Sequence, residues 1–371
     1  MTTLRAARLF DGERFVDDPV VTIDGATIVR VGGAPDADVV DLGDVTLMPG
    51  LVDTHQHLVF NGVGTLEEQV AGFSDEELRE RARANAMVAL RAGITTIRDL
   101  GDRSFVTVDL VGDASLPTIL AAGPPLTVVH GHCWYLGGEC EGTDDLVTAV
   151  RERKERGCAV VKIMATGGHG TPTYPMWKSQ FSTDELRTVI AAAHALGLPV
   201  AAHCHGIEGI RSAVAAGIDT IEHCTFFTEE NRSQPDETLM KAIAAAGIAV
   251  SATLGALPGA EAPPVIKANL DTMLRGLAYF HAQGGTIVTG TDAGIGPGKP
   301  HDVLPHALAM LTGVGFTFEE ALASMTSTAA RVIGLGERKG RVAPGYDADL
   351  LAFGDELTDV RGVWLRGERV V

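Results

Sequence analysis

The sequence predicts an α/β protein: a (β/α)8 TIM barrel with a small β-sandwich domain formed by both termini. Three observations predict it. Eight short apolar runs, near residues 51–57, 94–98, 117–121, 159–164, 198–203, 218–223, 248–253 and 286–291, mostly alternate with helical segments. That alternation means a parallel sheet covered by helices. A unit of helix, glycine and β-rich run recurs along the chain. Both flanks hold short β segments with too few apolar residues for a core of their own. At 371 residues the chain exceeds ordinary single-domain size unless most of it is one barrel. A doubly wound open sheet is the rival; it does not need eight units, and no Gly-x-Gly-x-x-Gly turn follows the first strand.

Residues 1–49 form the N-terminal part of the β-domain. Their hairpin signal is Thr22-Ile23-Asp24-Gly25-Ala26-Thr27-Ile28, with Asp-Gly at the turn. Residues 50–339 form the barrel, entered from the turn Pro49-Gly50. Ser74 with Glu77 and Ser182 with Glu185 match the capping box at helix starts. Helix ends fall at Gly93, Gly197, Gly217 and Gly247, each followed by the apolar residues of a buried strand. Residues 340–371 return to the β-domain through Asp349-Leu350-Leu351-Ala352-Phe353 and Val360-Arg361-Gly362-Val363-Trp364-Leu365.

Composition narrows the function classes. Apolar content of 45% and charged content of 21% suit a soluble protein with a large core. A net charge of −18 argues against nucleic acid and against an anionic membrane surface as partners. Met1-Thr2-Thr3-Leu4-Arg5 has no signal-peptide apolar region, and no apolar run reaches transmembrane length. The five cysteines, Cys133, Cys140, Cys158, Cys204 and Cys224, are odd in number and widely spaced. They predict free thiols and a cytoplasmic location. The expected partner is a small-molecule substrate, with homo-oligomerisation left open.

Barrel sites sit at the C-terminal ends of strands, and the polar residues of this chain collect there. Asp53-Thr54-His55-Gln56-His57 ends the first strand, and residues i and i+2 of a strand point to one side. Two imidazoles aimed at one point suit a zinc-like ion. The fourth strand, Ala159 to Ala165, carries Lys162 inside an apolar run; a buried ammonium must be paired, neutralised or modified. The fifth strand ends at His203, the sixth at Glu222-His223 and the eighth at Asp292. Taken singly, a strand-end histidine is equally a satisfied polar residue, and Asp292 equally a helix cap. Their conjunction at five strands is the argument for a site.

On these motifs the chain resembles the amidohydrolase superfamily over nearly its whole length. His-x-His on strand one, Lys on strand four, His on strands five and six and Asp on strand eight carry the match. So does Gly345-Tyr346-Asp347-Ala348-Asp349-Leu350 at the return to the β-domain. Val161-Lys162-Ile163 followed by Gly167-Gly168, and Ala202-His203-Cys204-His205-Gly206, look closest to the imidazolonepropionase-like and prolidase-like branch. The resemblance implies two divalent ions, zinc by expectation. His55, His57 and Asp292 would hold the more buried ion, His203 and His223 the other, and Lys162, as a carbamate formed with CO2, would bridge them. It further implies attack of a metal-bridging hydroxide on an amide-type C–N bond of a dipeptide, N-acyl amino acid, cyclic amide or carbamate. Asp292 would act as general base, then general acid.

The alternative is a mononuclear deaminase or imidazolonepropionase-like enzyme, or a hydrolase of esters or thiocarbamates at the same site. Mononuclear relatives usually lack the strand-four lysine and carry Glu three residues after the strand-five His. That position here is Gly206, and Glu208 recovers the spacing only relative to His205. Candidates to contact substrate are His130, His132 and Tyr135 after strand three, His169, Tyr174 and Trp177 after strand four, and His205. The loop from Ala165 to Ser182 is expected to form a wall or lid. Arg98, Lys178 and Lys299 are candidate anchors for a substrate carboxylate, with Lys178 and Lys299 read as solvated surface charges.

Overall fold

A computed structural model describes residues 1–34 and 39–371. Each of the eight predicted runs is a strand: β1 (Leu51–Gln56), β2 (Ile94–Asp99), β3 (Thr118–Ala121), β4 (Val161–Met164), β5 (Val200–Gly206), β6 (Thr220–Phe227), β7 (Ala249–Ser251) and β8 (Ile287–Val288). Neighbouring strands are parallel, as expected for strands buried on both faces. They form a three-stranded sheet, β3-β2-β1, and a five-stranded sheet in chain order from β4 to β8. The two sheets adjoin at both edges without merging into one ladder. On one side Leu126 N–H donates to Lys162 O at 2.8 Å; on the other, Asp292 N–H donates to His55 O at 2.6 Å.

Helices lie between most strands: α1 (Asp75–Arg91), α2 (Thr143–Arg156), α3 (Thr183–Ala195), α4 (Ile207–Ala216), α5 (Glu237–Ala245) and α6 (Pro264–Ala282). β2 and β3 are joined by a short 3-10 turn, Val108–Leu110, instead of an α-helix. Three short helices, α7 (Ala307–Gly313), α8 (Phe318–Ser324) and α9 (Ser327–Val332), follow β8. Both predicted capping boxes form, and Thr317 with Glu320 adds a third at the start of α8. Gly217 caps α4 in the left-handed conformation, with φ of 85°. A residue with a Cβ pays strain there, which is why the helix–Gly–strand unit is readable.

The two flanks pair through one strand from each. Thr46–Pro49 pairs antiparallel with Leu350–Phe353 inside a six-stranded sheet, so the two flanks share backbone hydrogen bonds. A four-stranded sheet contains the predicted hairpin, Val20–Asp24 with Thr27–Val31. Leu4, Leu9, Val21, Ile28, Leu47, Leu350 and Trp364 are buried together between the flanks. Full burial of each such side chain contributes about 1.5–3 kcal/mol, which neither flank collects alone. Among the described residues, no helix is long and apolar enough to cross a membrane.

Candidate metal centre

Two groups of ligating side chains stand at the strand ends. His55, His57 and Asp292 form one; His203, His205 and His223 form the other, and within each the ligand atoms lie within 4.8 Å of one another. In the first, His55 Nε2 and His57 Nε2 are 3.3 Å apart, and Asp292 Oδ1 lies 3.4 and 3.3 Å from them. In the second, His223 Nε2 is 2.9 Å from His203 Nδ1, and the ring centroids of His205 and His223 are 4.5 Å apart. The sequence grouped His205 with substrate contacts; the structure sets it beside His203 and His223.

The outward nitrogen of each ring is already engaged. His55 Nδ1–H donates to Glu222 Oε2 at 2.9 Å, His57 Nδ1–H to Gly101 O at 3.0 Å, and His203 Nε2–H to Gly167 O at 3.1 Å. His223 Nδ1 meets Thr253 Oγ1 at 3.0 Å and His205 Nδ1 meets Thr225 Oγ1 at 2.8 Å. Such contacts fix tautomer and ring orientation, leaving the inward nitrogen as a lone-pair donor. Burial pushes His55 down to about 4 and His205 down to about 3, and it lowers His203 and His223 as well. These rings are therefore neutral near pH 7, the form that binds a cation.

Lys162 is decisive for the fit. Its side chain is buried and its Nζ has no hydrogen-bond partner. Burial lowers its pKa. A buried donor left unpaired costs about 1–3 kcal/mol, a cost that a group supplied from outside the chain would remove. The donor set of imidazole, carboxylate and an unpartnered amine fits divalent ions of the zinc class.

The backbone is strained where it presents ligands. His223 has φ of 68° and Asp292 φ of 59°, both left-handed without being glycine. Each costs on the order of 1–3 kcal/mol and must be held by its surroundings. For Asp292 the restraint is visible. Asp53 accepts from Thr291 N at 3.0 Å and Thr291 Oγ1 at 2.6 Å, and Lys299 Nζ donates to Thr291 O at 2.6 Å and Thr253 O at 2.8 Å.

Several expectations are corrected by this geometry. Lys299 is no solvated charge; it clamps the ends of β7 and β8. Arg98 does not anchor substrate, because it is buried, with Nη2 2.9 Å from Glu222 Oε1 and Nε donating to Thr54 O at 2.7 Å. Lys178 is exposed, as read, with Nζ over the Tyr174 ring at 4.4 Å. His130 points to solvent, its side chain 72% exposed, so it does not join the centre. His169 is also exposed. His132 does join, its ring centroid 4.6 Å from that of His203 and its Nδ1 2.8 Å from Thr171 Oγ1. Tyr135, Tyr174 and Trp177 are half-buried; Tyr135 Oη donates to Cys133 Sγ at 3.6 Å. Cys204 is fully buried in the core.

The loop after β4 folds onto the strand ends so closely that side chains are excluded. A Cβ on Gly168 would lie 2.2 Å from His132 Nε2, and one on Gly206 2.1 Å from Trp177 O. Gly206 thus closes the position where a glutamate of the mononuclear alternative would stand. Glu208 does not replace it, its side chain 75% exposed and 3.6 Å from Arg211.

The residue missed by sequence reasoning is Glu222. It is fully buried and accepts from His55, from Arg98 and from Thr220 Oγ1 at 2.9 Å. Burial opposes its ionisation, but Arg98 and His55 hold it down at about 2. The signal was a carboxylate inside an apolar strand, the same anomaly that marked Lys162.

The amidohydrolase family model matches residues 46–370. The chain belongs to the amidohydrolase family. It is 27% identical over 359 residues to an ochratoxinase of Aspergillus niger, covering 85% of this chain and 72% of that one. It is 28% identical over 415 residues to an imidazolonepropionase of Deinococcus deserti, covering 98% and 93%. Among solved structures, a prolidase complexed with N-methylphosphonate-L-proline superposes with a TM-score of 0.84 at 27% identity, covering 100% and 99%. The protein is a hydrolase acting on carbon–nitrogen bonds.

Proposed function

We propose that this amidohydrolase is a dinuclear-metal enzyme cleaving an amide-type C–N bond of a dipeptide, N-acyl amino acid, cyclic amide or carbamate. Its eight strands are read as a (β/α)8 barrel (residues 50–339), with 1–49 and 340–371 as the two parts of a β-sandwich domain. The observation that carries the metal reading is the unpartnered, buried Nζ of Lys162, whose charge acts on histidines of both ligand groups. His55, His57 and Asp292 would hold one ion, His203 and His223 the other, with His205 beside the second. Lys162, carboxylated by CO2, would become an anion shared by both, which removes the cost of burying an ammonium. Two divalent ions, zinc by preference, supply polarisation of the scissile carbonyl and a more acidic water.

The chain's own groups do the rest. Asp292 takes a proton from water and returns it to the departing amine nitrogen, as general base then general acid. Its carboxyl is held below the ordinary range: burial opposes ionisation, but the His55 and His57 rings and Lys299 outweigh it. Glu222 and Gly101 O keep His55 and His57 in the tautomer that faces inward. Gly206 and the exposed Glu208 weigh against the mononuclear alternative. The five free cysteines are consistent with a reducing, cytoplasmic location.

The test is elemental analysis of protein prepared with zinc and bicarbonate, followed by hydrolysis of a panel of dipeptides, N-acyl amino acids, lactams, esters and deaminase substrates. About two ions per chain and turnover confined to amide-type bonds are expected. One ion per chain with deaminase turnover overturns the reading.

A further inference from the structure

Lys299 reaches the supports of both ligand groups at once. Its Nζ donates to Thr291 O at 2.6 Å and to Thr253 O at 2.8 Å. Thr291 immediately precedes Asp292 of the first group. Thr253 carries the hydroxyl that meets His223 Nδ1 of the second group at 3.0 Å. Three residues along these two chains of contact are left-handed without being glycine: His223 with φ of 68°, Thr253 with 49° and Asp292 with 59°. For a β-branched residue such as Thr253 that conformation is a genuine outlier.

The ammonium is itself planted. Lys299 O accepts from Gly294 N at 2.8 Å and Lys299 N donates to Gly296 O at 2.9 Å, which closes the turn after β8. His301, two residues on, stands against the end of β1, its Nδ1 3.1 Å from Gln56 Oε1 and its Nε2 3.0 Å from Phe60 O. The two carbonyls thus accept from a charged donor on a fixed base, and charge-assisted hydrogen bonds are the stronger kind. Asp53 offers the contrast. It accepts from Thr291 N and Thr291 Oγ1, from His55 N at 3.1 Å and from Gln56 Nε2 at 2.8 Å, all on the side of the first group.

We propose that Lys299 is a positioning residue shared by the two ligand groups, a brace that holds Asp292 and His223 at a fixed spacing and so sets one ion relative to the other. The inference rests on the dinuclear reading and adds to it the side chain that relates the two ions. Strained backbone persists only while its surroundings hold it, and a ligand that relaxes takes its lone pair off the metal. Removing the ammonium frees both strand ends together. Removing the Asp53 charge or the Thr253 hydroxyl loosens one side alone.

The experiment measures zinc affinity, ion by ion, through competition with a chelator for wild type, Lys299→Met, Lys299→Arg, Asp53→Asn and Thr253→Val. The melting temperature of each and the visible absorption of its cobalt-loaded form are recorded alongside. Loss of a partner behind a ligand weakens metal binding by about 10–100-fold. Lys299→Met should weaken both ions on that scale and alter the cobalt bands, whereas Asp53→Asn and Thr253→Val should each weaken one. Lys299→Arg, whose guanidinium still donates to two carbonyls, should recover most of the loss. With zinc in excess, Lys299→Met should lower kcat and leave KM little changed on the amide substrates that wild type hydrolyses. If Lys299→Met does not fold, Lys299→Gln carries the same comparison. Wild type that binds two ions, of which Lys299→Met weakens one or neither, overturns the shared brace while the dinuclear reading stands. A rise in KM alone also overturns it and makes Lys299 a substrate contact. Weakening of both ions with unchanged cobalt bands, in step with a lower melting temperature, marks a merely structural role and overturns it too. Wild type that binds a single ion overturns the dinuclear reading, and the brace with it.

Discussion

The two ligand groups are built on the same principle from different materials. Around His55, His57 and Asp292 the supports include charges, Glu222 behind His55, Arg98 behind Glu222 and Lys299 beside Thr291, with the Gly101 carbonyl behind His57. Around His203, His205 and His223 they are neutral, a carbonyl and two hydroxyls. The first group contains a carboxylate and offsets one of the two charges of a divalent ion; the second is three imidazoles with no charge to offer. The difference teaches that, on the proposed dinuclear reading, the second group needs an anion from elsewhere, which a carboxylated Lys162 would supply. The first group should hold its ion whether or not Lys162 is modified.

The largest expected effect comes from breaking the first group's chemistry without its shape. Asp292→Asn should keep most of its metal by elemental analysis and lose turnover by roughly 10²–10⁴-fold. Substrates with poor amine leaving groups should suffer most, and activated phenolate leaving groups least. Near-normal amide hydrolysis by a metal-replete variant would leave Asp292 as a ligand alone. Next is the asymmetry itself. Lys162→Ala should lose the ion of the second group and retain that of the first, seen as a fall from two ions to one. Short carboxylic acids should partly restore both metal and activity. Retention of both ions with full turnover would remove the bridging role.

A smaller effect is expected behind His55. Glu222→Gln leaves Arg98 buried without its counter-charge and weakens the hold on the His55 tautomer. Loss of such a partner costs about 10–100-fold in metal affinity, measurable by competition with a chelator. The loss should fall on one ion only; equal weakening of both would erase the distinction between the groups.

The smallest effect is on stability, at a carboxyl beside Gly101, behind the first group. Asp102 is buried, accepting from Thr107 N at 2.7 Å and Phe105 N at 3.1 Å. Burial and the neighbouring Asp99 charge push its pKa up from 3.8. A raised carboxyl binds its proton more tightly folded than unfolded. Its contribution is thus fully present below 3.8 and lost as pH rises through the shifted value. Melting of metal-free protein should show a fall in stability across that window that is shallower in Asp102→Asn. An unchanged slope would place the titrating group elsewhere.

Much of this was legible in the chain. The helix–Gly–strand units located eight strands because a left-handed C′ position and a buried strand each restrict residue choice. His55, His57, Lys162, His203, His223 and Asp292 stood out because polar groups at apolar strand ends are costly unless used. What stayed hidden was pairing across the fold. Arg98 and Glu222 are 124 positions apart, and Asp53 and Thr291 are 238. Nothing local in either partner announces the other. Arg98 therefore read as a free cation and Lys299 as a surface charge.

The sequence by itself determined the positions of the eight strands, the capped helices and the residue types able to bind metal. Those depend on local backbone preference and on alternation of apolar residues, which each segment carries alone. Only the tertiary structure decided which nitrogen of each histidine faces inward, that His205 stands with His203 and His223 while His130 turns to solvent, and that Glu222 lies behind His55. These outcomes depend on which strand ends become neighbours, and that is set by the packing of the whole chain.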